Sequence, residues 1–253
     1  METHSLSVCL CAIVKDEENY LREWLDYYRS IGVDHFVLYD NGCDIEPAPD
    51  IEIIDYRDRT CCQIDAYNDC YDRLGKQYDW FFFLDADEFL WTEQPLKVFL
   101  SDHKFSNFDG IKVNWMNMTD NGHIRVVNGD YSRDRFTEHS PILFPWNFQC
   151  KTLVRGRRDI HYGTSCHHPV DPVRLCDVKG RPALNKNRNA TVIWVIAHIK
   201  HYRYRTVEEF AMKHKRGYPD MPLEQARKKI SIDNFFRLNK KTVEKLAVLY
   251  DLM

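Results

Sequence analysis

Two carboxylates one residue apart, Asp85 and Asp87, followed at once by Glu88, close the apolar run Trp80-Phe81-Phe82-Phe83-Leu84. A run this short and apolar reads as a strand buried on both faces, so the acids stand where a covered strand opens into a loop. Two oxygen donors at that spacing can face one hard divalent cation, Mg²⁺ or Mn²⁺, which completes its shell with phosphate oxygens and water. An ion held there offsets the negative charge of a diphosphate as it leaves. The competing account is that these acids only solubilise a loop after an apolar strand.

The elements that must position the pair come first in the chain. Residues 6–14 form an uninterrupted apolar and small-residue run, a second buried strand, stopped by Lys15-Asp16-Glu17-Glu18. From Asn19 onward Tyr20, Leu21, Trp24, Leu25 and Tyr28 recur at the spacing of one helix face, and Gly32 supplies the C-terminal cap. Residues 35–39 and 51–55 predict two more strands. Ile64, Tyr67, Tyr71 and Leu74 predict a second helix that ends at Gly75, ahead of the strand over 80–84. Strand, helix, strand, strand, helix, strand is the pattern of a doubly wound, mostly parallel sheet.

In such sheets ligands bind beyond the carboxyl ends of the strands, where helix N-termini and free amides gather. The unusual charge collects there: Lys15, Asp16 and Glu17 after the first strand, Asp40 and Asn41 after the second, Asp55, Arg57 and Arg59 after the third, and Asp85, Asp87 and Glu88 after the fourth. That placement argues against a haloacid-dehalogenase-type phosphatase, whose Asp-x-Asp ends the first strand and is followed by Thr or Val. It also argues against an EF-hand, which needs Gly at the sixth loop position, here Leu90.

Beyond residue 100 the pattern is less regular. Residues 110–115, 151–154 and 191–199 are strand candidates; Thr206 and Glu209 have capping-box spacing ahead of a helix to Arg216, stopped by Gly217 and Pro219, and Lys-rich helices follow from Pro222. The 253 residues are 44% hydrophobic and 13% aromatic, enough for one sizeable α/β core. A net charge of -3 from 35 basic and 38 acidic residues offers no global field for nucleic acid. The nine cysteines form no Cys-x-x-Cys pair and predict reduced thiols in a cytosol-like compartment. No apolar run approaches the roughly 18 to 20 residues of a membrane helix, and the first seven residues do not resemble a signal peptide. The expectation is a soluble, cytoplasmic protein, with peripheral membrane contact through the basic tail left open.

The segments Cys11-Ala12-Ile13-Val14-Lys15-Asp16-Glu17, Leu21-Arg22-Glu23-Trp24-Leu25, Tyr27-Tyr28 and Tyr39-Asp40-Asn41-Gly42 resemble the opening of a GT-A glycosyltransferase of the family 2-like and family 92-like branch. Residues 84–89, 115–123 with Arg135-Phe136, and His201-Tyr202 followed by Glu208-Glu209-Phe210, Lys213, Arg216 and Gly217 agree with it. The resemblance implies a GT-A, Rossmann-like sheet with flanking helices over residues 1–217. Residues 1–110 would be the nucleotide-sugar half, 111–217 the acceptor half, and 218–253 a helical tail. It implies a nucleotide-sugar donor and Mn²⁺ or Mg²⁺. By position Asp40 contacts the nucleoside base beside Lys15, Asp16 and Glu17; Arg59 and Gln63 add donor contacts; Asp85 and Asp87 meet ribose, diphosphate and metal; His201 is the third ligand or a phosphate contact.

The implied activity is transfer of a hexose from a UDP-sugar, UDP-galactose or UDP-glucose, to a glycan or lipid-linked hydroxyl, with inversion. Trp115 or Trp146 would stack on sugar faces. Where relatives carry Gly and Ser after the tryptophan segment, this chain has Met118-Thr119-Asp120, so the acceptor loop departs from the pattern. An inverting reaction calls for a carboxylate base. Asp120, Asp130, Glu138 and Asp171 are all available, and Asp120 is taken as the candidate.

Asp40 before Asn41-Gly42 also suits a plain turn, and His198 a plain core histidine. His161, Cys166, His167, His168 and Cys176 lack the paired spacing of a zinc site and predict an acceptor-side loop. Lys213, Lys215 and Arg216 read as a solvated helix face. Two rivals remain: a sugar-phosphate nucleotidylyltransferase, which would open with a Gly-rich phosphate loop where 14–19 has no glycine, and a catalytically silent nucleotide- or glycan-binding module.

Overall fold

The structure, a computed structural model, describes residues 6–126, 131–170, 172–218 and 220–251. Strands β1 (Val8–Val14), β2 (His35–Asp40), β3 (Ile51–Asp55) and β4 (Trp80–Phe83) alternate with helices α1 (Glu18–Ile31) and α2 (Gln63–Leu74) as the periodicity predicts. Next come β5 (Glu88–Thr92), α3 (Leu96–Ser101), β6 (Gly110–Asn117), α4 (Ser132–Arg135), β7 (Cys150–Arg155), β8 (Leu175–Asp177), β9 (Pro182–Ala183) and β10 (Ala197–His201). Four helices close the chain: α5 (Val207–Arg216), α6 (Leu223–Lys229), α7 (Ile232–Leu238) and α8 (Lys240–Asp251).

The strands pair in the order β3-β2-β1-β4-β7-β6-β10-β5, with β8 and β9 appended at β6. From β3 to β4 every pairing is parallel; β7 runs antiparallel to both neighbours, and β5 antiparallel to β10. This is the Rossmann-like sheet with flanking helices that the resemblance implies.

Alternation explains the layers. Val8, Leu10, Ala12 and Val14 point to one face of β1, where Leu21, Trp24, Leu25 and Tyr28 of α1 cover them. Cys9, Cys11 and Ile13 point to the other, under Ala66, Tyr67, Cys70 and Tyr71 of α2. Trp80 and Phe82 divide from Phe81 and Phe83 in the same way. A strand covered on both sides has no polar position to spare, which is why these runs read as continuous hydrophobic stretches. Gly32 caps α1 at φ 101°, the left-handed conformation that a side chain disfavours, and its N–H reaches the Arg29 carbonyl. All nine cysteines are free thiols.

Two features depart from the periodicity. The segment from Glu88 is itself a strand, β5, whose antiparallel register sets His201 opposite Glu88. The strand expected over 191–199 begins only at Ala197. The tail is not a solvated appendage: Ala226, Ile230, Phe235 and Leu238 bury themselves with Tyr204 and Phe210 in a third cluster.

β1 sits between β2 and β4, so the chain leaves β1 in one direction and later returns on its other side. That reversal opens a crevice beyond the carboxyl ends of β1 and β4. Among the described residues no helix is long and apolar enough to cross a membrane.

Candidate functional site

A cavity of about 310 Å³ lies in that crevice. Its walls include Lys15 and Glu17 beyond β1, Gln63 at the start of α2, Asp85 and Asp87 beyond β4, and His201 at the end of β10. Six of the residues singled out from the sequence are therefore brought together.

Backbone geometry fixes the centre. The Asp87 carbonyl accepts from the Tyr202 N–H at 2.9 Å, so the loop after β4 is stitched to the end of β10. His201 Nε2 stands 3.5 Å from Asp87 Oδ1, and Lys213 Nζ of α5 donates to Oδ2 at 2.5 Å. Burial alone would raise the Asp87 carboxyl, but Lys213 and His201 outweigh it and hold it well below the usual range. Burial keeps His201 neutral against the pull of Asp87. Asp85 is more open: its Oδ1 accepts from Gln63 Nε2 at 2.8 Å, and its Oδ2 lies 3.2 Å from Lys151 Nζ.

An ionised carboxylate beside a neutral imidazole is the protonation pattern a divalent cation requires of its ligands. The donor set of Asp85, Asp87 and His201 therefore fits the expected ion in chemistry, and His201 Nδ1 is a buried nitrogen with no partner. In the structure as described Asp87 and His201 converge while Asp85 is drawn to Lys151. Among the described residues no three metal-ligating side chains close on one point.

The structure sets other expected residues elsewhere. Asp40, 3% exposed, spends one oxygen on the N–H groups of Gly42 and Cys43, and the other lies 2.6 Å from Arg57; it shapes the turn and does not line the cavity. Arg59 stacks 4.0 Å over the Tyr56 ring, also outside the cavity. Asp16 lines a neighbouring cleft of about 460 Å³ between α1 and α5. Asp120 is buried, accepting from the Gly122 N–H and the Thr242 hydroxyl, and so fastens the loop after β6 to α8 away from the cavity. Asp130 and Asp171 lie outside the described residues. Glu138 pairs with Lys241 on the surface. Trp115 lines the cavity, 4.2 Å from the His201 ring, whereas Trp146 packs against Phe144 and Tyr204.

Lys151 and Asp220 escaped the sequence reading as site residues, and Lys213 and Arg216 were read there as a solvated face. Lys213, expected on a solvated face, is 7% exposed and turned inward; it lies three residues after the buried Phe210, a spacing that could have revealed it. Arg216 bonds the Lys15 and Asp16 carbonyls and Glu17, bridging α5 to the loop after β1. Lys151 is fully buried on β7 between Asp85 and Glu88. Asp220, in the turn after α5, lines the cavity, its carboxyl raised first by burial and then by Asp85.

His198 is a core residue. Its Nδ1 faces the Trp194 carbonyl at 2.8 Å, its ring stacks on Trp91, and burial pushes its pKa down to about 4. A depressed histidine favours the fold above its free value of about 6.5, and that preference is lost as pH falls towards 4. Between those pH values urea stability should decline by up to about 3 kcal/mol from this group. His198→Gln should decline less over the same interval; an identical decline would rule the assignment out.

The fold and the crevice define a Rossmann-like α/β domain with a polar cavity at the carboxyl ends of its parallel strands. Residues 4–48, which hold β1, α1 and β2, match the model of glycosyltransferase family 92. A family 92 protein of Oryza sativa subsp. japonica is 30% identical over 98 residues, covering 33% of this chain and 16% of the relative. Family 92 proteins of Arabidopsis thaliana and Ricinus communis are 26% and 28% identical over 91 residues, each covering 32% of this chain and 16% of the relative. This chain thus spans about a sixth of each relative's length in the match, and over that part it is similar to family 92 glycosyltransferases. A Bacillus anthracis structure described as a glucose-1-phosphate thymidylyltransferase overlays 60% of this chain and 69% of its own at TM-score 0.30 and 9% identity, too loosely to carry an argument.

Proposed function

We propose that this chain transfers a hexose from a UDP-sugar to a hydroxyl of a glycan or lipid-linked acceptor, with inversion, using Mn²⁺ or Mg²⁺ held by Asp87 and His201 with Asp85. The observation that carries the reading is the approach of Asp87 to His201, 3.5 Å apart at the carboxyl end of β4, in a cavity also lined by Lys15, Lys213 and Arg216. When bound, the cation would supply charge neutralisation for the departing diphosphate.

The protein's own groups do the remaining work. Lys15, Lys213 and Arg216 supply positive charge for phosphate oxygens, and their place in a partly enclosed cavity strengthens that attraction. Trp115, packed against His201 and His167, gives the cavity an aromatic wall for a sugar. The free thiols suit a reducing, cytoplasmic setting.

Incubation with Mn²⁺ and a panel of UDP- and GDP-sugars tests the reading. UDP released from a UDP-sugar, and sugar appearing on an added glycoside, are the expected results. Nucleotide binding with no release from any donor would indicate a silent binding module and end this proposal.

A further inference from the structure

The acceptor hydroxyl must lose a proton as its oxygen attacks, and the cavity contains four carboxylates that could take it: Glu17, Asp85, Asp87 and Asp220. Three are engaged. Glu17 is held by Arg216, with Arg205 3.7 Å away; Asp85 by Gln63 and Lys151; Asp87 by Lys213 and His201. A carboxylate pinned by a buried cation is a poor proton acceptor, because protonation would leave that cation without its counter-charge. Asp220 differs. Among the described residues no cationic side chain lies within ion-pair distance of it and no side chain hydrogen-bonds to its carboxylate; Lys229, on the same cavity wall, acts on it only from farther off.

Position agrees with chemistry. Gly217 ends α5 at φ 76°, turning the chain back so that Tyr218, Asp220 and Met221 come to the cavity wall. Ala226 of α6 and Ile230 just after it then pack into the same cluster as Phe210 of α5, which fixes the loop between the two helices. Asp220 thus reaches the cavity from the tail, on a different element from the strand ends that carry Asp85, Asp87 and His201.

Resting on the transfer reading above, we propose that Asp220 is the catalytic base for the acceptor. The acceptor oxygen forms a bond to the anomeric carbon, and its proton passes to an Asp220 carboxylate oxygen, leaving a neutral acid. The bond from that carbon to the diphosphate oxygen breaks, and the leaving group keeps the electron pair. The acid then returns its proton to solvent. Asp120 has no part in this step.

The test compares wild type, Asp220→Asn and Asp220→Glu with UDP-galactose or UDP-glucose, Mn²⁺ and methyl hexosides, following UDP release and glycoside product. UDP and Mn²⁺ affinities are measured by calorimetry and folding by thermal melts. A positioned base contributes about 10²- to 10⁴-fold. Asp220→Asn should therefore lose at least about 100-fold in kcat, with both affinities within about twofold of wild type, and Asp220→Glu should recover part of the rate. Transfer by Asp220→Asn within tenfold of wild type overturns the assignment, as does a loss of affinity that accounts for the whole loss of rate. If Asp220→Asn melts far below wild type, Asp220→Ser is judged by the same criteria. A wild type that turns over no UDP-sugar while binding UDP defeats the transfer reading itself, a result distinct from an active wild type with an equally active Asp220→Asn.

Discussion

Asp87→Asn should lower UDP release from a UDP-sugar by about 10²- to 10³-fold, the usual effect of deleting one preorganised charged contact at a leaving group. The substitution keeps the shape of the side chain and removes its charge. Lys213 then loses the carboxylate it meets at 2.5 Å and keeps its bond to the Arg203 carbonyl at 2.8 Å. A freed ammonium can still approach phosphate oxygens, so UDP affinity should fall less than turnover. Mn²⁺ affinity, read by calorimetry without substrate, should fall with turnover, since one of two converging donors has gone. Turnover within tenfold of wild type, with Mn²⁺ affinity unchanged, would show that Asp87 is only the counter-ion of Lys213.

The first half of the fold was legible because each strand there is buried on both faces and each helix buries one. Continuous apolar runs and helical stripes from β1 to β4 are forced by that packing. The crevice followed from the same pattern, since reversal of strand order beside β1 gathers Lys15, Glu17, Asp85 and Asp87 whatever their individual roles. β5 was missed because Glu88 reads as a third loop acid. In three dimensions the 0% exposed Glu88 starts a strand whose carbonyl accepts from Trp24 and Tyr28. Asp40 was ambiguous for a related reason: an acid beyond a strand looks the same whether it faces a ligand or closes a turn, as Asp40 does onto Gly42 and Cys43. The lysine partners of the acidic pair were illegible because they arrive from residues 151 and 213, more than sixty positions away, and pairing at that separation leaves no local period. Asp220 lay hidden in the same way, on a tail that reads as charged and solvated until Phe235 and Leu238 are seen to bury it.

Lys151→Met should destabilise the protein more than an ordinary surface change, by about 2 to 4 kcal/mol in urea. Lys151 is 1% exposed and lies 3.2 Å from Asp85 and 3.5 Å from Glu88; burial opposes its charge, but these two acids outweigh it and hold the ammonium above its usual range. Methionine keeps the length of the stem and deletes the charge. Asp85, part exposed and bonded to Gln63, can turn to water. Glu88 cannot: it is sealed in, with the Asp85 N–H donating to one oxygen and the other oxygen unpartnered. Its carboxyl is pushed up to about 8 by burial, with Lys151 as the largest restraint on that rise. It therefore carries a proton for much of the time near neutral pH even beside Lys151, and without Lys151 the carboxyl rises further, so little charge is left stranded and the penalty falls below the roughly 3 to 5 kcal/mol of an uncompensated buried charge. Adding Glu88→Gln to Lys151→Met should therefore restore part of the lost stability, because a neutral amide is buried without first having to take up a proton. If the single change leaves the urea midpoint where it was, Lys151 is not the counter-charge of this core. If the double variant is no more stable than Lys151→Met, the cost came from packing around Tyr67 and not from Glu88.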